Sequence, residues 1–293
     1  MTSARRLPVV LTLVSAVLWG SSFTLVKVGL DYLDPYSFVT IRFGIAAALL
    51  VAITLARGQS GLLAGYIRDR HVFLLGMTIA ASYAFQFVGQ TQTTAAKAVI
   101  IVNSSAVLVA PMSYFLLKER LGPRQLASLA VGILGVYLIT RGRGGAPEDV
   151  GTLRGDLLVS GSALAYGLYV VLTRMAVLRR AYSEIPMMAA VFLWSLPVFL
   201  ATSIPSFARG VSVAPAAWAV IGYLAVFCSV VPFVIWTAAM KRMGALTSAI
   251  VLLSELVFGV FFAWILLGEV VSGTVLAGCA AICAAIVIVG IRP

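Results

Sequence analysis

The sequence predicts an all-α integral membrane protein of ten transmembrane helices, arranged as two inverted five-helix repeats with both termini cytoplasmic. Three observations carry that reading. Of the 293 residues, 61% are apolar and only 11% charged, against about a quarter charged in a soluble domain. Mean hydropathy is +1.06 over the chain, so the apolar excess is not confined to one anchor. The basic residues lie mostly between apolar runs, and the two halves echo each other at matching places.

Cutting the chain at charges, Gly and Pro yields apolar segments near residues 8–30, 35–56, 72–91, 95–117, 124–140, 154–173, 183–203, 215–238, 245–267 and 271–291. A spanning helix needs about 20 apolar residues, so ten of them use roughly 200 positions and leave only short connections. No room remains for a folded water-soluble domain. Arg5 and Arg6 precede the first segment, but that segment stays apolar too long for a signal peptide and another span follows at once. It is read as a retained helix. Pro111, Pro197 and Pro232 interrupt the fourth, seventh and eighth spans; each removes a backbone hydrogen bond and permits a kink, and Pro111 and Pro232 are the candidate gating kinks. In the last span Gly273, Ala277, Ala281 and Ala285 offer a close-packing stripe.

The net charge of +11 would suggest nucleic acid in a soluble protein. Here no aromatic-interleaved basic patch exists, so the charges are read as topology signals and nucleic acid is not expected as a partner. With an inside amino terminus, Arg5, Arg6, Arg57, Arg68, Arg70, Lys118, Arg120, Arg124, Arg174, Arg179, Arg180, Lys241, Arg242 and Arg292 fall inside. Only Lys27, Arg42, Lys97, Arg141, Arg143, Arg154 and Arg209 fall outside. An even number of spans with cytoplasmic termini satisfies the positive-inside rule.

The repeat follows from register. A shift of 147 places Ser15 on Ser162, Trp19 on Tyr166, Gly20 on Gly167 and Lys27 on Arg174; a shift of 150 places Ser104 on Ser254 and Glu119 on Glu269. The halves are expected at residues 1–145 and 146–293. Five spans per half is odd, so the second copy crosses in the opposite sense, an architecture common in secondary transporters.

At these residues the chain resembles a known family. Trp19-Gly20-Ser21-Ser22-Phe23, Pro35 followed by Ile41-Arg42-Phe43, Leu117-Lys118-Glu119-Arg120-Leu121 and its echo Leu266-Leu267-Gly268-Glu269 are similar to the repeats of a ten-span EamA-type exporter of the drug/metabolite transporter superfamily. The likeness covers nearly the whole chain and is greatest to the aromatic and neutral amino-acid exporter branch. It implies a permease or exporter of small metabolites. The second half has Phe192-Leu193-Trp194 where the first has its arginine motif, so no symmetric partner to Arg42 is expected.

Ionisable groups within spans are expensive and default to functional hypotheses. One acid qualifies: Glu255, about 15 Å into the ninth segment and near the midplane. It is read as a substrate-ammonium partner or a proton-coupling carboxylate, against the alternative of a structural carboxyl. Arg42 is favoured as structural, Lys97 is a similar case, and Lys27 and Arg174 are terminal enough to snorkel. Uncharged polar and aromatic side chains recur at helical spacing: Trp19 and Ser22; Tyr83, Gln86 and Gln90; Tyr166 and Tyr169. With Asn103, Ser104, Trp236, Ser254 and Glu255 they make up the expected cavity. Aromatic walls with few fixed charges suit a substrate with an apolar or aromatic body and a small polar head, and aromatic faces can attract an ammonium group; other metabolites or drugs, phosphorylated compounds among them, are the alternative, and a channel the less favoured one.

Enzymatic chemistry has no visible parts. His71 is the only His and lies at a span end, no paired mid-span Asp or HExxH is present, and no Gly-Lys-Ser/Thr phosphate loop occurs. No cofactor or metal is expected; Cys228, Cys279 and Cys283 are read as buried reduced thiols. The partners are a small-molecule substrate and the bilayer, with monomer and homodimer both open. Seventeen Arg against four Lys point to a GC-rich bacterial genome and hence an inner, or plasma, membrane.

Overall fold

The computed structural model describes residues 3–290 except 31, 91, 94, 143–151 and 211–212, and every regular element among them is helical. In chain order these are α1 (Ser3–Leu30), α2 (Pro35–Ala56), α3 (Ser60–Arg68), α4 (Arg70–Gln90), α5 (Ala95–Asn103), α6 (Ser105–Met112), α7 (Pro123–Gly142), α8 (Leu153–Arg179), α9 (Glu184–Ala208), α10 (Pro215–Ala225), α11 (Val231–Met240), α12 (Ala245–Leu252), α13 (Ser254–Leu267) and α14 (Gly273–Gly290). Two five-residue π-turns, Ser113–Leu117 after α6 and Val226–Val230 between α10 and α11, interrupt the rods.

Among the described residues nine stretches are long and apolar enough to cross a membrane. The third expected span, α4, has 21 residues and reaches about 31 Å. Two of its polar side chains face a neighbour: Ser82 bonds to the Ser162 carbonyl and hydroxyl at 3.2 Å, and His71 Nε2 lies 3.0 Å from the Leu172 carbonyl, both in α8. The short helix α3 occupies a connection that the sequence left unassigned. The termini, with Arg5 and Arg6, fall outside the described side chains.

Local chemistry sets the helix starts. Asp34 caps α2, its Oδ1 accepting from the Tyr36 and Ser37 amides at 3.1 Å and from the Ser206 hydroxyl at 2.9 Å, with Pro35 at the first helical position. Thr152 caps α8 by accepting from the Gly155 amide at 3.1 Å. Three hydroxyls buried inside the rods bond back to carbonyls four residues earlier, Thr12 to Pro8, Thr54 to Leu50 and Thr140 to Val136, so these three carry no unmet polarity into the apolar slab.

Lipid tails are as apolar as the side chains, so packing rests on close contact between small residues and on hydrogen bonds between helices. The repeat-related helices α7 and α14 show this most directly, and they cross antiparallel. Ser128 Oγ donates to the Ala285 carbonyl, Gly135 meets Gly278, and Ser272 Oγ donates to the Gly142 carbonyl at 2.9 Å. A Cβ on Gly135 would stand 2.7 Å from the Gly278 carbonyl oxygen, and one on Gly278 the same distance from that of Gly135. Both neighbours are backbone and cannot give way. Gly278→Ala is therefore expected to destabilise by about 2 kcal/mol, read as a lowered thermal midpoint in detergent. Gly290→Ala, which meets nothing within 4 Å, is the control and should leave the midpoint unchanged.

The expected stripe is corrected here. Gly273 and Ala277 are exposed, while Val275, Gly278, Ile282, Ala285 and Val289 form the buried face. A strict four-residue spacing drifts around a helix of 3.6 residues per turn, so only Ala285 is shared. The cysteines are corrected too: Cys228 is buried, Cys279 half-buried and Cys283 exposed.

Candidate functional site

The fourth and ninth apolar segments each break near their middle, at Ser104 and at Leu253, one residue off the shift of 150 that places Ser104 on Ser254. Between α5 and α6 the Ser104 amide is shared between the Ile100 and Ile101 carbonyls at 2.9 and 3.2 Å, and its hydroxyl donates to Ile101 at 2.6 Å. Between α12 and α13, Leu253 interrupts the helix and the Ser254 hydroxyl donates to the Val251 carbonyl at 2.7 Å. Both serines thus turn back on their own backbone. The same register governs the far ends: Lys118 and Gly268 adopt left-handed φ of 59° and 67°, and the amides of Glu119 and Glu269 reach Ser113 and Ala263 at 3.3 Å. A residue with φ > 0 favours Gly, which the second half supplies and the first does not.

Where the two breaks face α8 they leave a cavity of about 30 Å³ lined by Asn103, Ser105, Tyr166, Val170, Leu253 and Glu255, with Val102, Ala106, Val109, Ala249 and Leu252 completing the wall. That is room for one or two waters. The Glu255 carboxylate makes no hydrogen bond or ion pair among the described residues, and Tyr83 and Tyr166 lie within range of its charge. Of the residues singled out by sequence, the structure brings Asn103, Tyr166 and Glu255 together. The apolar lining carries no polar or aromatic signal in the sequence, although Val102, Ala106 and Val109 follow the four-and-three spacing that marks one helix face.

The other residues lie around this point. Trp19, Tyr169 and Trp236 form a packed cluster with Phe233: Tyr169 stacks on Trp236 at 6.0 Å, Trp19 meets Trp236 edge-on at 6.0 Å, and Tyr166 adjoins Tyr169 at 6.2 Å. Trp236 Nε1 donates to Ser248 Oγ at 2.8 Å. Tyr83 packs edge-on against Phe43 at 5.1 Å, Gln86 is half-buried, and Ser22 Oγ donates to the Trp19 carbonyl at 2.6 Å. The side chains of Gln90, Lys27 and Lys97 lie outside the described residues. Pro111 sits on the exposed side of α6, two residues before its π-turn.

Pro232 explains two motif residues at once. It has no N–H to give the Cys228 carbonyl four residues earlier, and that oxygen instead accepts from Trp19 Nε1 at 3.1 Å and Arg42 Nη2 at 2.8 Å. Arg42 Nε donates to Ser229 Oγ at 2.8 Å, so the buried guanidinium clasps the π-turn. Arg174 does not snorkel, a further correction: its Nε donates to Glu119 Oε1 at 3.0 Å and its Nη1 to the Met240 carbonyl. Burial beside the carboxylate of the connection that follows the fourth segment outweighs the pull of the interface.

The face that carries Glu119 holds further polar clasps. Lys241 Nζ meets Glu184 Oε1 at 2.6 Å. Asp69 accepts from the His71 amide at 2.7 Å, from Tyr182 and from Arg180 at 3.2 Å. Burial opposes the charge on Asp69, but the hydrogen bonds from Tyr182 and the His71 amide, with Arg180 beside it, outweigh burial and hold its carboxyl below the usual range.

The model of the EamA-like transporter family matches this chain twice, over residues 6–141 and 153–291. The chain belongs to that family. It is 30% identical over 275 residues to an uncharacterized transporter of Archaeoglobus fulgidus, covering 92% of this chain and 91% of that one. It is 28% identical to a probable terminal-alkyne amino-acid exporter of Streptantibioticus cattleyicolor, covering 87% and 84%. To a probable amino-acid metabolite efflux pump of Salmonella typhimurium it is 25% identical, covering 95% and 93%. One crystal structure superposes with a TM-score of 0.79 at 20% identity, covering 96% of this chain and 95% of that chain, which shows the fold alone. In this EamA-family transporter, the cavity therefore lies where residues of both matched stretches meet: Asn103 from the first, Tyr166 and Glu255 from the second.

Proposed function

We propose that the chain is a ten-span carrier of the inner membrane, with both termini cytoplasmic, that exports small amphipathic metabolites, foremost aromatic and neutral amino acids. Its two inverted five-helix halves rock about the cavity to give alternating access. The single observation that carries this reading is the Glu255 carboxylate, without a hydrogen bond or ion pair among the described residues, in a cavity where both matched stretches and both broken rods converge. An ammonium group or a proton is the partner such a carboxylate lacks. Asn103 and Tyr166 supply hydrogen bonds, and the aromatic cluster behind Tyr166 supplies an apolar wall. The antiparallel crossing of α7 and α14 and the paired breaks at Ser104 and Leu253 support the inversion. The relatives named for amino-acid export support the substrate class.

At about 30 Å³ the cavity is far below the roughly 300 Å³ of a ligand pocket, so binding requires the half-helices on either side of the breaks to part. Purified protein in liposomes is expected to show saturable counterflow of labelled phenylalanine, competed by leucine and not by phosphorylated sugars. The reverse order of competition would overturn the substrate class, and unsaturating flux would overturn the carrier.

A further inference from the structure

The half-helix α12, which runs from one face of the protein to the cavity, begins without a cap of its own: Gly244 precedes it and has no side chain to offer. The first amides of a helix need acceptors, and where they are buried water cannot supply them. Ala245 is fully buried. Its amide donates instead to Glu119 Oε2 at 3.0 Å, a carboxylate from the other half of the chain, 126 residues away. Negative charge at a helix start is favoured in its own right. The second oxygen of Glu119 holds Arg174 Nε at 3.0 Å, and Arg174 in turn donates to the Met240 carbonyl at the end of α11. A Cβ at Gly244 would stand 3.1 Å from Glu119 Oε2 and crowd the carboxylate. One carboxylate thus ties together the ends of the fourth, sixth and eighth apolar segments and the start of the ninth.

What lies along α12 gives this clasp a consequence. Four residues past Ala245, about 6 Å deeper, Ala249 lines the cavity; Leu252 and Leu253 follow, and then Glu255. Gln125 Nε2 adds a lighter tie to the same half-helix, donating to Thr247 Oγ1 at 3.1 Å. We propose that Glu119 is a positioning residue for transport, the latch on its face of the protein: while it holds the Ala245 amide and Arg174, α12 seals the cavity from that face, and its release lets the cavity open there. This rests on the alternating-access reading above. It does not depend on the substrate or on Glu255. Glu269, at the equivalent turn of the second half, stands where the repeat places a counterpart.

The test is accessibility. In a Cys228→Ala, Cys279→Ala, Cys283→Ala background, Ala249→Cys is labelled in vesicles with a membrane-impermeant maleimide, and the exposed Arg120→Cys reports which preparation presents the Glu119 face. Glu119→Gln keeps an acceptor for the amide but loses the ion pair; Glu119→Ala loses both. Labelling from the Glu119 face is expected to rise about tenfold in Glu119→Ala, and by less in Glu119→Gln. Arg174→Gln should move it in the same direction, which keeps the test available should Glu119→Ala fold poorly. Unchanged labelling in Glu119→Gln and Arg174→Gln would overturn the latch. Faster labelling in a protein without counterflow would overturn the carrier and leave the latch standing; counterflow with unchanged labelling would do the opposite.

Discussion

Glu255→Gln is expected to lower counterflow by about tenfold or more while leaving the yield and thermal midpoint of the folded protein intact. The reason is the asymmetry of its surroundings. A carboxylate that served the fold would be satisfied by neighbouring donors, because an unpaired charge in the slab is costly; Glu255 faces the cavity with no such bond among the described residues. Gln keeps the shape and the acceptor oxygen but removes the charge, so the form of the cavity wall survives and attraction for an ammonium or a proton does not. Kinetics then separate its two possible roles. A raised KM with unchanged maximal rate marks an ammonium partner, whereas loss of gradient-driven accumulation with counterflow retained marks a coupling group. A Gln variant with wild-type counterflow and accumulation would remove Glu255 from the mechanism altogether.

Arg42→Ala is expected to destabilise the protein by about 3 kcal/mol, through two lost buried hydrogen bonds and the void left by the side chain. Its guanidinium supports the one carbonyl that Pro232 orphans, together with Trp19. Arg42→Lys keeps the charge but not the fork that reaches Ser229 and Cys228 at once, and about half the loss is expected. Unfolding in detergent followed by tryptophan fluorescence measures both. If Arg42→Ala unfolds at the wild-type midpoint yet abolishes transport, the residue faces substrate and the structural account is overturned.

How much of this was legible in the sequence depends on the kind of signal. Apolar length and basic loops mark the rods because a bilayer demands about 20 apolar residues per crossing, and the segment near 35–56 coincides with α2. The register shifts of 147 and 150 anticipated the serines at the two breaks and the paired glutamates, because a repeat keeps its punctuation. Membership of the family was legible from the same motifs.

The site was legible only in part. Helical spacing assigns a residue to a face but not to what that face meets: Trp19, Tyr169 and Trp236 share the periodicity of a lining and lie in a packed cluster. The four-residue stripe on α14 failed for a related reason, since a true 3.6-residue face is chosen by its partner helix and here the backbone of Gly135 made the choice.

The sequence by itself determined that this is a helical, two-repeat membrane transporter of the EamA family, with one acid in mid-span and three prolines interrupting its rods. Only the tertiary structure decided which polar groups meet: that the carbonyl freed by Pro232 goes to Arg42 and Trp19, that Arg174 binds Glu119 and not the interface, and that Glu119 caps a helix starting 126 residues later. The physical reason is that hydropathy is a property of segments, readable one window at a time. Satisfaction of buried donors and acceptors is a property of pairs, and these pairs form between residues far apart in the chain.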